Sequence, residues 1–366
     1  MKRRTLIVTI AALGVTVLLP RPAAHAQDTR KQALTSINRG IEYLKSTQEE
    51  DGSWGKYPAV TALAVTALLK NGRTEAKEPA VAKGVQYILH AAKPNGAIYS
   101  DADPALAMPN YNTALCLMAL ANVRNPAYLP VIRKAQKYLE ESQFGGGDGK
   151  SENDPMYGGI GYGSKPDRPD LSNLQMALEA LKESSIHSGS AVWTKAVVFL
   201  QRVQNLKESN DQEWVKTASG DGGFIYDSKG RSFSESGGLP QSYGSMTYAG
   251  LKSYLYAGVD KSDPRAKAAW DWIRANYSVT EHPGMGDKSL YYYYHTMAKT
   301  FRVYGANTIE EPNGAKHDWS KELIVQITTR QKSDGSWINA NGRFWEDRPA
   351  LVTSYSLLAL AYCTKK

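Results

Sequence analysis

Cysteine is nearly absent from this chain. Cys116 and Cys363 are the two among 366 residues, so a disulfide-stapled framework is excluded as the source of its stability. Both lie in apolar periodic runs, where a thiol serves as a small buried hydrophobe, with one long-range bridge as the alternative. Long hydrophobic runs are scarce too. The single one, Leu6 to Leu19, follows Lys2-Arg3-Arg4 and precedes Pro20 and Ala24-His25-Ala26. Those three parts are the layout of a secretory signal peptide, with cleavage expected after Ala26. The run is shorter than the roughly 20 residues a membrane-spanning helix needs, so no transmembrane segment is expected after cleavage. Loss of Lys2, Arg3, Arg4 and Arg21 lowers the formal charge from +8 by four. The remaining basic residues are interspersed with acidic ones, which argues against nucleic acid as a partner. Also missing is any switch from helical to alternating hydrophobic period, which excludes a substantial sheet.

What is present is repetition. A basic residue, a small residue, two others, an aromatic and a Leu or Ile recur at Arg39-Gly40 with Tyr43-Leu44, Lys83-Gly84 with Tyr87-Ile88, Lys134-Ala135 with Tyr138-Leu139, and Lys195-Ala196 with Phe199-Leu200. Degenerate copies surround Ala269 with Trp272-Ile273 and Leu323 with Gln326-Ile327. A Gln stands at the same offset in four units, at Gln48, Gln143, Gln204 and Gln331. Six copies mean one supersecondary unit stacked on itself.

Each unit reads as an amphipathic helix, a glycine loop and a more apolar helix. The second helices are expected at residues 61–69, 112–120, 174–181, 243–255, 290–303 and 352–362, rich in Ala, Leu, Met and Tyr. The stretch 289–295 favours strand by composition but is read as the start of the fifth of these. Helices apolar most of the way round are enclosed, whereas amphipathic ones keep a solvent face. Six such hairpins bury their inner helices best by closing into a ring. The chain is therefore expected to be all-α, an (α/α)6 toroid over residues 27–366 after the signal peptide 1–26. Loops 148–170, 205–243, 278–289 and 339–350 are longer than the others, and unequal insertions on one face of an array carry its function.

The combination Arg39-Gly40, Tyr43-Leu44, Gln48 and Asp51-Gly52-Ser53-Trp54, with Gln331 and Asp334-Gly335-Ser336-Trp337, resembles the QW repeat of the prenyltransferase and squalene cyclase superfamily. The resemblance covers residue 31 to the C-terminus and implies the same six-hairpin toroid. It further implies cyclisation or prenyl chemistry on an apolar isoprenoid or triterpenoid held in a central aromatic cavity. The motif residues themselves read as structural. The Gln amide satisfies groups at a helix end and lies beside the Trp ring.

The motifs that carry chemistry in that superfamily are incomplete here. Its cyclases protonate an alkene with an Asp-x-Asp-Asp acid; the nearest run is Asp101-Ala102-Asp103-Pro104, whose plain reading is helix entry. Its protein prenyltransferases hold zinc with an Asp-x-Cys pair and a His; Tyr294-His295-Thr296 resembles the His segment, but Tyr243-Gly244-Ser245 stands where the pair would open the fourth inner helix. Neither a metal nor another cofactor is expected. An Asp-rich magnesium motif and the Gly-Cys-Gly-Glu-Gln thioester run are also absent.

The candidate catalytic residues are therefore Asp101, Asp103, Asp227 and His295, and the candidate ligand-binding residues are Tyr226, Tyr243, Asp287 and Tyr294. Asp287, Tyr294 and His295 follow from the resemblance, and Asp101, Asp103, Tyr226, Asp227 and Tyr243 from their place before inner helices, whose positive ends face the cavity mouth. Two other readings stay open at this point. One is a binding or scaffold protein whose loops 148–170 and 205–243 hold a cell-envelope protein. The other is a carbohydrate-active barrel using Asp221, Asp227 and Glu235, which would need two carboxyls about 5 to 9.5 Å apart.

Overall fold

Residues 22–103, 107–164, 167–236 and 238–365 are described by a computed structural model. Residues 1–21 of the expected signal peptide lie outside the described residues. The chain forms six helical hairpins. Their outer helices are α1 (Pro22–Ser46), α3 (Pro79–His90), α5 (Leu129–Glu141), α7 (Ala191–Val203), α9 (Pro264–Ala275) and α11 (Trp319–Thr329). Their inner partners are α2 (Pro58–Lys70), α4 (Pro109–Val123), α6 (Leu171–Glu183), α8 (Gly244–Tyr256), α10 (Leu290–Tyr304) and α12 (Pro349–Thr364). Four two-residue strands form two antiparallel hairpins in loops, 235–236 with 239–240 and 309–310 with 316–317. The fifth inner helix does begin in the tyrosine run. Among the described residues no helix is long and apolar enough to cross a membrane.

Each inner helix packs on the inner helices before and after it, and α12 packs on α2 while α1 packs on α11. The array is thus a closed toroid, as expected. Inner helices are buried nearly all round: α12 is enclosed continuously from Leu351 to Cys363. Outer helices bury one stripe; in α5 it consists of Ile132, Ala135 and Leu139. Cys116 and Cys363 are buried free thiols in α4 and α12, which settles the disulfide alternative.

The repeated residues are the fasteners between units. Gln48 donates its amide to Gly52 O in its own loop and to Ala80 O in the first turn of the next outer helix, both at 2.9 Å. Gln143 does the same to Gly158 O and Val192 O, and Gln204 to Gly222 O and Arg265 O. Gln331 closes the circle by reaching Gly335 O and then Ser36 O, from the sixth unit to the first. Each amide gives a loop carbonyl a partner and uses the second lone pair of a carbonyl in the neighbouring helix.

The small residue of the motif has an equally local cause. A side chain at Gly84 would meet Val65 Cγ2 at 2.5 Å and the Trp54 ring at 3.3 Å, and one at Gly40 would meet the Trp337 ring at 2.8 Å. The motif tryptophans of the first and sixth units, Trp54 and Trp337, pack beneath the next unit's outer helix, with the indole N–H donated to a carbonyl ten residues back, Leu44 O for Trp54 and Ile327 O for Trp337. A threonine in four inner helices completes the joint. Thr61, Thr113, Thr247 and Thr353 accept the loop amides of Trp54, Ile98, Phe224 and Trp337.

Loop glycines abut the neighbouring helix backbone. Gly158 has φ +80° and an added Cβ would sit 1.9 Å from Lys195 O, whereas Gly72, at φ +84°, has open space around it. Both replacements by Ala share the left-handed backbone penalty of about 1–2 kcal/mol. Gly158→Ala adds a steric conflict with backbone, so its unfolding free energy should fall at least about 1 kcal/mol further than that of Gly72→Ala. Chemical denaturation of the two variants checks this; equal losses would mean that the joint is not tightly packed.

Candidate functional site

The toroid encloses a cavity of about 380 Å³ at the N-terminal ends of the inner helices. Its wall comes from the first turns of those helices, with Val60 and Leu63 of α2, Tyr111 of α4, Ser172 of α6, Met246 of α8, Tyr292 of α10 and Tyr355 of α12. Long loops fold over the top and contribute Tyr162, Tyr226, Phe233, Met285, Phe344 and Trp345. The extended loops thus build the cavity roof. Phe233 and Phe344, from two different loops, meet edge to face with centroids 5.2 Å apart. No Asp, Glu, Lys or Arg lines the cavity among the described residues. The polar groups of its lining side chains are serine and tyrosine hydroxyls, the Trp345 indole N–H and one imidazole, that of His282.

Three successive inner helices present N-termini here, each stopped by a titratable side chain. Asp170, buried at 1% exposure, accepts the Asn173 N–H at 2.9 Å and the Asn173 side-chain amide at 2.8 Å at the start of α6. His282 accepts the Ser245 N–H on Nε2 at 2.8 Å at the start of α8, and its Nδ1 lies 2.8 Å from Lys288 O. Glu346 accepts the Tyr291 and Tyr292 N–H groups at 2.9 and 2.8 Å at the start of α10. These caps answer the orphan donors of a helix end inside a dry wall. Burial pushes the Asp170 and Glu346 carboxyls up to about 7 and the His282 imidazole down to about 4. Desolvation disfavours the charged form of each. The Tyr226 side chain lies close to the Asp170 carboxyl and partly offsets its burial, and the Tyr226 hydroxyl lies 3.3 Å from that of Tyr162. A polar chain therefore runs from a buried carboxyl to the cavity surface.

Below the cavity the barrel is closed. Tyr292 is held by Gln175 at 2.9 Å and by Ser172 at 3.1 Å. Beneath it, Glu179 bonds Lys252 and Lys299, Lys299 also bonds Glu183, and Lys70 reaches Glu183 at 3.3 Å. Burial acts to raise the Glu179 carboxyl, but the Lys252 and Lys299 ammoniums overcome it and hold it low. These ions lie toward the C-terminal ends of the inner helices and plug the ring.

The structure places the expected site residues unevenly. Tyr226 and Tyr243 line the cavity. Asp101 does not: its side chain is 64% exposed, and its hydrogen bond to Lys93 holds the carboxyl below the usual range. Asp103 is likewise exposed. Both stand in the loop before α4, outside the cavity lining. Asp227 accepts the Lys229 and Arg231 N–H groups and pairs with the Arg231 guanidinium at 3.0 Å, so it organises a turn.

His295 lies outside the cavity, stacked on Tyr355 at 5.6 Å, and burial lowers it to about 3. Tyr294, two residues along the helix from Tyr292 and so about 200° round it, points away from the cavity and donates to Val279 O. Asp287 is exposed in a separate surface cleft and accepts from Asn341. Asp287 and His295 therefore do not converge, and among the described residues no group of three or more His, Cys, Asp or Glu side chains is arranged to hold a metal. For the carbohydrate reading, Asp221 accepts Ser242, Ser219 and the Gly223 N–H in a turn, and the side chain of Glu235 lies outside the described residues. Sequence reasoning passed over Asp170, Glu346 and His282; the available signal for Asp170 was an Asp directly before an apolar inner helix.

The twelve-helix toroid is a terpenoid cyclase-like fold. It superposes on a single-residue variant of a type II terpene cyclase from Scytonema solved with geranylgeranyl dihydroxybenzoate as substrate, with TM-score 0.57 and 11% identity over 92% of this chain and 99% of the other. A variant of that enzyme solved with merosterolic acid A as product gives TM-score 0.54 and 14% identity over 92% and 97%. A protein from Actinoplanes gives TM-score 0.51 and 14% identity over 91% and 99%. No protein-family model and no curated protein sequence matches the chain.

The wall carboxyl has a testable titration. Asp170 is raised to about 7 in the folded protein from about 3.9 in an unfolded chain. Between those values the folded state holds the extra proton, so the stabilisation it gives is complete below about pH 4 and is lost as pH rises through 7. Asp170→Asn should abolish that dependence. Urea unfolding should show wild type losing on the order of 3 kcal/mol relative to the variant between pH 4.5 and 7.5. Parallel pH profiles would show that Asp170 titrates normally.

Proposed function

We propose that the cavity binds an apolar isoprenoid-type ligand and that Asp170 is the acid available for protonation-initiated cyclisation of it. The observation that carries this reading is the cavity wall itself, aromatic and free of charged side chains, with a carboxyl held near pH 7 directly behind Tyr226 and Ser172. An uncharged wall suits a hydrocarbon chain, and ring faces stabilise positive carbon as it develops. A carboxylic acid that keeps its proton near neutrality can deliver it, whereas the exposed Asp101 is already ionised. The fold shared with the Scytonema cyclase, whose substrate carries a geranylgeranyl chain, supports the same ligand class. Export, as inferred from residues 1–26, puts such a ligand outside the cytosol, where membrane-derived isoprenoids are at hand.

Titration with geranylgeraniol or squalene, followed by intrinsic tryptophan and tyrosine fluorescence, should show saturable binding. Leu63→Trp fills the cavity from α2 and should weaken that binding at least about tenfold while the circular dichroism stays native. Product analysis by gas chromatography with mass detection should find an isomer of unchanged mass with wild type and none with Asp170→Asn, whose binding persists. A ligand bound by both but never altered would remove the catalytic half of the reading. No binding would remove all of it.

A further inference from the structure

The cavity is neutral, yet its mouth is not. Three arginines sit on rings that line it. The Arg231 guanidinium lies 4.8 Å from the Tyr226 ring centroid, and Arg348 lies 4.3 Å from that of Trp345. Arg343 stands 5.5 Å from Phe233 and 5.3 Å from Phe344, the two rings that meet across the roof. Each positive charge is thus one ring away from the ligand space, and its stacking on an aromatic face fixes the plane of its N–H donors.

The three charges are not equally compensated. Arg231 is paired with Asp227 at 3.0 Å. Arg348 and Asp103 both act on the Tyr57 hydroxyl, in opposite directions, so they share one side of the mouth. Arg343 has no carboxylate within 4 Å among the described residues and is solvent-exposed. Its loop is also costly to hold. Phe344 and Trp345, consecutive non-glycine residues, have φ +70° and +66°, a backbone that persists only where its surroundings enforce it. Here that backbone puts both rings on the cavity and leaves Arg343 at the rim.

We propose that the ligand is an amphiphile with an anionic oxyacid head, its isoprenoid tail in the cavity and its head bound at the mouth by Arg343 with Arg348. This rests on the cavity reading above and specifies the ligand's polar end. A tail in a charge-free wall cannot carry its head inside, because an unpaired buried anion is heavily penalised. At the rim a planar guanidinium offers two parallel N–H groups to a carboxylate, and neither partner is fully desolvated.

The test compares two probes with the same chain, geranylgeraniol and geranylgeranoic acid, titrated into the full chain at pH 8 and low salt by intrinsic fluorescence. The acid should bind at least about tenfold more tightly than the alcohol, which is about 1.4 kcal/mol, and the preference should shrink as salt rises. Arg343→Gln, and the double variant Arg343→Gln with Arg348→Gln, should reduce it below about threefold, with the acid losing more affinity than the alcohol. Equal affinities in wild type, or a preference that survives both variants, would overturn the inference and leave the cavity reading standing. Failure of both probes to bind would overturn the cavity reading and the inference with it.

Discussion

Everything in this molecule hangs on a bridge between neighbouring units, the glutamine amide that joins a loop carbonyl to a carbonyl of the next outer helix. It occurs at Gln48, Gln143, Gln204 and Gln331, and the last of these ties the sixth unit to Ser36 in the first. A stack of hairpins left open would expose an apolar inner helix at each end. Closure removes both ends at once. The tryptophan under the next helix, the small residue above it and the threonine that accepts the loop amide are all consequences of pressing one hairpin against the next at a fixed distance.

Closure also creates the site. Antiparallel hairpins in a ring make all six inner helices run one way, so six positive ends gather at one rim. That rim needs partners for its amides, and on α6, α8 and α10 they are Asp170, His282 and Glu346. Because the caps are buried in an aromatic wall, their titrations shift toward the neutral forms, carboxyls up and imidazole down. Structural capping and candidate chemistry are the same side chains here. At the opposite rim the helix ends are bridged by Glu179, Glu183, Lys252 and Lys299, an ion cluster that closes the ring and limits the ligand space to its upper part.

The fold was legible in the sequence because its cause is periodic. Arg39-Gly40, Gln48 and Trp54 recur at intervals, and each recurrence has a contact to match: Arg39 donates to Lys332 O and Ser333 O of the preceding loop, as Lys195 does to Gly145 O. The site was only partly legible. Tyr226 and Tyr243 could be placed from their position before inner helices, but the same rule put Asp101 and Asp103 beside them and passed over Asp170. All three precede an inner helix. What separates them is whether a long loop folds over the carboxyl, and the loops 148–170 and 205–243 do so through contacts of Tyr162, Tyr226 and Phe233 that no local pattern announces. His295 and Tyr294 lie off the cavity for a different reason. A helix face turns by about 100° per residue, so within Tyr291–Tyr294 only Tyr292 meets the cavity, and three-residue resemblance does not fix that phase.

A crystal structure of the protein soaked with geranylgeraniol tests the cavity most directly. Continuous density along Tyr292, Tyr355 and Leu63, with the hydroxyl end toward Arg343, is the result these contacts predict. Density confined to the surface clefts, or an unaltered cavity at saturating ligand, would contradict them and leave the toroid as a frame without a ligand site.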